Sequence, residues 1–257
     1  MTGTLTSFFL AGLMSATFVS AAAAPPSGVT TVPVSEEFRW RGWVSAGALV
    51  EINGVHGNVY AERTSGEEVE VVAMKRGSSE EHIDDVKIEV VEHDKGVTVC
   101  AVYPSNDPSK PFECRPTTGG GFRVASSTGD GQTKLMYANG GGGAVNVGDV
   151  RVDFVVRIPS RLRFVGRTVE GDIELHNLDR DIEAHSVHGN VAVELPAKPS
   201  SDVSLRTLSG KVLTDFPLHS QKDQCGTVVR GTVGRGKRQL AVRTSQGSIS
   251  VTKAQTI

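Results

Sequence analysis

Little in these 257 residues is aromatic, basic in excess or patterned as helix. Aromatic side chains make up only 5% of the chain, so a core must come mainly from Val, Ile and Leu. Lys and Arg number 27 against 29 Asp and Glu, and no basic field points to nucleic acid. Hardly any stretch past the N-terminus carries a helical period with caps. Three cysteines occur, Cys100, Cys114 and Cys225, with no Cys-x-x-Cys or Cys/His ligand spacing, so a zinc site is not expected. The Gly-Lys-Ser/Thr ending of a phosphate loop and the Gly-x-Ser-x-Gly nucleophile elbow are both missing.

Long apolar runs are scarce too. One exists, FFLAGLMSATFV (Phe8–Val19), followed by SAAAAPPS. It has the length of a signal-peptide h-region, with Ala22-x-Ala24 as a cleavage site ahead of Pro25, although the leading MTGTLTS holds no Lys or Arg. A membrane span wants about 20 apolar residues, and this run contains Ser and Thr. Residues 1–24 are expected to be a signal peptide, 25–47 a linker and N-terminal cap strand, and 48–257 the folded domain. The chain is then exported, to the periplasm or the cell surface, with no stable span after cleavage. Export permits oxidation of the cysteines. A bridge from Cys100, in GVTVCAVY, to Cys114, in SKPFECRP, closes a short loop worth roughly 3 kcal/mol. Three unpaired thiols are the alternative, with Cys225 free or a competing partner.

What the chain does contain is alternation and glycine. Period-two stretches such as EEVEVVAMKRG and VRVDFVVRIP predict strands, so the class is all-β. Residues 104–149 are dense in Gly, Pro, Ser and Thr and read as an insertion with little structure of its own. After them RTVEGDI (Arg167–Ile173) recurs as HSVHGNV (His185–Val191), RTLSGKV (Arg206–Val212) and RTSQGSI (Arg243–Ile249). An outlying NGVHGNV ends at Val59. The turn glycines are Gly57, Gly171, Gly189, Gly210 and Gly247. The last four are spaced by 18, 21 and 37 residues, and GTVVRGTVGRG (Gly226–Gly236) fills the long gap as a degenerate coil.

A repeat of about 20 residues cannot bury its own apolar face, whereas stacked copies can. The pattern predicts a single-stranded β-helix or solenoid of two-strand coils. Ile173, Val191, Val212 and Ile249 would form one dry column, and Ile182, Val203 and Leu240 another. An antiparallel β-sandwich of hairpins is the alternative.

The run VRIPSRLRFVGRTVEGDIELHNLDRDIEAHSVHGNVAVE, with LAVRTSQGSISV later, resembles the bacterial domain-of-unknown-function family labelled putative adhesin. The resemblance covers about Leu49–Val251, apart from the glycine-rich insertion. It implies a short β-solenoid on exported or membrane-attached proteins and an envelope or surface role. It carries no known catalytic residues.

Three groups invite chemistry. His176, His185 and His188 suggest a metal, but His188 occupies the slot of Glu170, Ser209 and Gln246, which reads as a solvated turn. Asp172, Glu174, Asp179, Asp181 and Glu183 crowd one region, as an acid/base pair of a polysaccharide-cleaving β-helix would. The equivalent slots of other coils, Asn190/Ala192, Lys211/Leu213 and Ser248/Ser250, build no acidic column. Phe38, Trp40 and Trp43 suit a sugar or a plug for the end of the stack. The expectation is a non-catalytic surface module with an unknown protein or glycan ligand, no cofactor, no metal, no nucleic acid, and self-association through open edge coils. A secreted carbohydrate-active enzyme is the alternative.

Overall fold

A computed structural model of the chain describes residues 33–105, 113–116, 123–128, 132–136, 142–146, 148–223 and 226–254. The expected signal peptide and Cys225 lie outside the described residues. No helix among the described residues is long and apolar enough to cross a membrane.

The first strands are β1 (Val34–Gly42), β2 (Leu49–Asn53), β3 (Val59–Thr64) and β4 (Val69–Gly77). A helical turn, α1 (Glu80–Asp85), follows, then the hairpin β5 (Lys87–His93) and β6 (Gly96–Val102). The glycine-rich segment contains β7 (Arg123–Thr128), β8 (Gln132–Met136) and β9 (Gly142–Asn146), a small antiparallel meander where the sequence predicts loop. Its glycine background hides the alternation from a periodicity count.

Next come β10 (Arg151–Pro159), β11 (Arg163–Glu170), β12 (Ile173–His176), β13 (Ile182–His188) and β14 (Val191–Leu195). The chain ends in β15 (Ser201–Ser209), β16 (Val212–Thr214), β17 (His219–Asp223), β18 (Gly226–Val233), β19 (Arg238–Gln246) and β20 (Ile249–Lys253).

The molecule is all-β, with two large mixed sheets. Sheet A runs β1-β4-β10-β3-β12-β14-β20-β16, and sheet B runs β17-β18-β15-β19-β13-β11-β2-β6-β5. Both are parallel in the middle and antiparallel toward one or both edges. Each motif-bearing coil gives one strand to sheet B, turns at its glycine, and gives the next strand to sheet A. In space the coils follow the order β6/β10, β2/β3, β11/β12, β13/β14, β19/β20, β15/β16. This differs from chain order at both ends. The segment Gly226–Val233 is the antiparallel neighbour of β15 and not a parallel coil. The glycine-rich insertion interrupts the first coil, between β6 and β10.

The core lies between the sheets. Val59, Ile173, Val191, Ile249 and Val212 are successive register partners in sheet A. Val50, Phe164, Ile182, Leu240 and Val203 are the same in sheet B. All but the terminal Val212 are buried, each side chain contributing roughly 1.5–3 kcal/mol of apolar burial. Lys75, also buried, donates from Nζ to the carbonyls of Ile83 and Val86 and pairs with Glu36 at 2.5 Å, satisfying the end of α1.

Candidate functional site

The motif's polar positions hold coil to coil. The hydroxyl three residues before each glycine donates to the glycine carbonyl of the adjacent coil. Thr168 Oγ1 reaches Gly57 O at 2.9 Å, Ser186 Oγ reaches Gly171 O at 2.8 Å, Thr244 Oγ1 reaches Gly189 O at 2.9 Å, and Thr207 Oγ1 reaches Gly247 O at 2.8 Å. These hydroxyls are buried, so the bonds are shielded from water. Gly57, Gly171, Gly189, Gly210 and Gly247 have φ between +140° and +158°. A Cβ on any of the last four would run into the glycine carbonyl of the next coil, and one on Gly57 into Val152 O.

The residue after the glycine completes the ladder. Its side-chain oxygen accepts the backbone N–H of the equivalent residue one coil on. Asp153, which follows Val152 at the same level of the stack, takes Asn58 N on its Oδ1 at 2.8 Å; Asn58 Oδ1 takes Asp172 N at 2.9 Å, and Asp172 Oδ1 takes Asn190 N at 2.7 Å. Asn190 Oδ1 then takes Ser248 N at 2.9 Å, and Ser248 Oγ takes Lys211 N at 3.2 Å. Lys211, which cannot accept, belongs to the last coil, where no further N–H needs a partner.

A second polar system crosses the outer face of sheet B. Lys95 N–H donates to His93 Nδ1 at 3.3 Å, leaving Nε2 to donate to Thr98 Oγ1 at 3.2 Å. Thr98 Oγ1 donates to Glu51 Oε2 at 3.0 Å. Glu51 is ion-paired with Arg167, whose Nη2 also reaches Glu183 at 3.1 Å. Thr98 and Glu51 are fully buried and Arg167 nearly so. Cys114 is bonded to Cys100 and lies against the Thr98 carbonyl, which pins residues 113–116 beside this chain of bonds.

The outer face of sheet A carries a row of alternating basic and acidic side chains. Arg41, Glu70, Arg157, Glu62, His176 and Glu194 are register partners on six consecutive strands of the sheet, β1, β4, β10, β3, β12 and β14. Glu70 lies 2.7 Å from Arg41 and 3.1 Å from Arg157, and Arg157 lies 3.1 Å from Glu62. Hydrogen bonds from Arg41, then Arg157, hold the Glu70 carboxyl below its ordinary value. The Tyr60 ring lies 5.0 Å from that of His176.

The carboxylates of the acidic stretch do not converge. Asp172 serves the coil ladder. Asp179 pairs with Arg63 at 2.6 Å, Asp181 accepts Gln239 N–H at 2.9 Å, Glu183 binds Arg167, and Glu174 stands 3.9 Å from His176. His185 and His188 lie on the next strand, β13, in the other sheet from His176. Among the described residues no group of three His, Cys, Asp or Glu side chains is arranged to hold a metal. His185 is held below its ordinary value by burial, then by Arg167 and Arg243. Phe38 and Trp40 pack against the core, while Trp43 is 66% exposed with Arg161 stacked 5.7 Å from its ring. Trp40, Trp43, His93 and Asp94 border a cleft of about 160 Å³. Sequence reasoning missed the roles of the Ser/Thr and post-glycine slots and the Glu51–Arg167 pair. The recurring Ser/Thr was the available signal for the first.

These features define an all-β protein whose repeated motif links coils across two facing mixed sheets. The chain belongs to the Toastrack DUF4097 family, which residues 47–252 match. Among solved structures it is similar to a "putative cell adhesion protein" from Clostridium sporogenes, at 10% identity and a TM-score of 0.47, over 86% of this chain and all of that one. It is also similar to a "putative adhesin" from Bacteroides fragilis, at 9% identity and a TM-score of 0.30, over 85% and 97% of the two chains. No curated protein matches it.

Proposed function

We infer that the protein is a non-catalytic, exported module of the cell envelope or surface, binding through the flat outer faces of a short solenoid. The observation that carries this reading is the employment of the motif's polar side chains, which are spent on joining one coil to the next. A carbohydrate-active enzyme needs an acid and a base aimed at one bond. Asp172, the first candidate, instead accepts a backbone N–H, and its acidic neighbours are dispersed over separate ion pairs. The h-region at Phe8–Val19 and the Cys100–Cys114 bond both suit an oxidising compartment outside the cytoplasm. Self-association through the open edge strands β1 or β16 is one form of the same role.

The test is fractionation followed by binding. Expressed with its own N-terminus, the chain is expected in the envelope or medium, shortened by the leader. Purified residues 25–257 are expected to adhere to envelope preparations without shortening any polysaccharide in them. Retention in the cytoplasm at full length overturns the export reading. Polysaccharide cleavage that is lost in Asp172→Asn/Glu174→Gln overturns the non-catalytic one; the asparagine keeps the ladder acceptor.

A further inference from the structure

The two outer faces treat their arginines differently. On sheet A, Arg39, Arg41 and Arg157 are each held by a carboxylate. Toward the far end of sheet B, Arg243, Arg206 and Arg230 have no ion pair among the described residues, and all three are exposed. Their neighbours Val242, Leu205 and Val229 are buried, so strand alternation places the three guanidiniums on the outer face.

The register brings them together. Arg243 is the direct partner of His185 on one side and of Arg206 on the other. Arg230 sits one strand beyond, opposite Ser204 and next to His219. The row His185, Arg243, Arg206, Arg230, His219 thus crosses five adjacent strands. At about 4.8 Å per strand it extends roughly 19 Å. Like charges directly opposite each other in a sheet are unfavourable. The nearest carboxylates do not relieve them. Glu183 is engaged by Arg167, and Asp202 accepts from Thr232 Oγ1 at 2.7 Å and from Lys237 N.

We propose that this row is the docking surface for a linear polysaccharide bearing carboxylate groups. The proposal rests on the surface-module reading and names the ligand class. Three guanidiniums unpaired among the described residues stand on adjacent strands, Arg243 and Arg206 directly opposite and Arg230 two residues off their register, and suit an extended polymer whose anions repeat along its length. A guanidinium presents a two-pronged donor set that fits a carboxylate. Single-stranded nucleic acid wants aromatic platforms between the cations, and the outward neighbours here are Ala241, Ser204, Val228 and Thr232. The chain's overall charge of −2 supplies no general attraction for a polyanion.

The experiment is co-sedimentation of residues 25–257 at neutral pH with polygalacturonate, with neutral dextran and with a single-stranded oligonucleotide as the other arms. Binding to polygalacturonate is expected, with loss as salt rises from about 0.05 to about 0.5 M. Arg206→Gln/Arg230→Gln/Arg243→Gln is expected to weaken it about tenfold or more. Arg39→Gln/Arg41→Gln, on the opposite face, leaves it unchanged. Circular dichroism and melting confirm that both variants fold, as exposed substitutions permit. Three results overturn the proposal: no binding, equal binding by the triple variant, or oligonucleotide binding as tight as that of polygalacturonate. Adhesion to envelope preparations that survives the triple variant sinks this surface while leaving the surface-module reading standing.

Discussion

Thr168 donates its hydroxyl to the carbonyl of Gly57, 111 residues earlier in the chain, because the two stand on adjacent coils. The same bond recurs from Ser186, Thr244 and Thr207, so one side-chain type at one slot ties the stack together. Removing a donor strands a buried carbonyl. Thr244→Val, which keeps the shape, is expected to cost about 1–3 kcal/mol in urea unfolding, and Thr244→Ser distinctly less. A larger loss in Thr244→Ser than in Thr244→Val would show that the methyl matters and the hydroxyl does not.

Gly247 and Gly47 both have positive φ, +151° and +81°, but different surroundings. A Cβ at Gly247 collides with the Gly189 carbonyl, and one at Gly47 meets open space. Gly247→Ala is expected to cost at least about 3 kcal/mol or to prevent folding, since backbone overlap adds to conformational strain. Gly47→Ala should cost about 1–2 kcal/mol. Melting temperatures of the pair decide whether close approach or conformation alone selects glycine in the motif.

Breaking the Glu51–Arg167 pair leaves a buried charge unpartnered. Arg167→Met is expected to destabilise by about 3–5 kcal/mol, and Glu51→Leu/Arg167→Met by much less than the sum of the single changes. Additive losses in the double-mutant cycle would show that the two charges are not coupled.

His185, among Arg167, Arg243 and Glu183, has a folded pKa below the ordinary histidine value of 6.5. The unfolded chain therefore takes up the proton first. Stability from the neutral imidazole is complete above the unfolded value and falls as pH drops through 6.5 toward the folded value. Melting at pH 7.5 and 5 should show a smaller acid loss in His185→Gln than in the wild type. An identical loss in both assigns it to other groups.

Cys100 and Cys114 close a loop with a sequence separation of 14. Cys100→Ser/Cys114→Ser, or reduction, is expected to lower stability by about 3 kcal/mol. A melting curve indifferent to reductant would remove the bridge from the account.

The coil was legible in the sequence because its determinants are local. Glycine at the turn and Val or Ile two residues later recur at nearly fixed spacing, and the register partners Ile173, Val191 and Ile249 follow from that. The Asp/Asn/Ser slot looked like variable surface because its constraint is an acceptor oxygen, which three residue types supply. Lys211 made the slot look more permissive still, yet it is the terminal member. The order of the coils was not legible. Nothing local to Gly210 or Gly247 says which coil is nearer Gly189, and that is decided by how β17 and β18 fold back antiparallel beside β15. Glu51 and Arg167 were hidden for the same reason, since their meeting depends on β2 and β11 becoming neighbours.

The placement of β19 and β20 inside the stack has a consequence for assembly. Residues 201–214 cannot settle directly on residues 182–195, because the layer between them, β19 and β20, is synthesised after both. An emerging chain can zip its earlier coils in sequence but must keep that site open until Ile249 arrives. Folding then finishes by insertion rather than by end-on growth, a high-contact-order step that is slow for a sheet protein. Trimming the final coil would accordingly remove an internal layer and disconnect the one beyond it, whereas in a simple repeat array the same cut only shortens the stack.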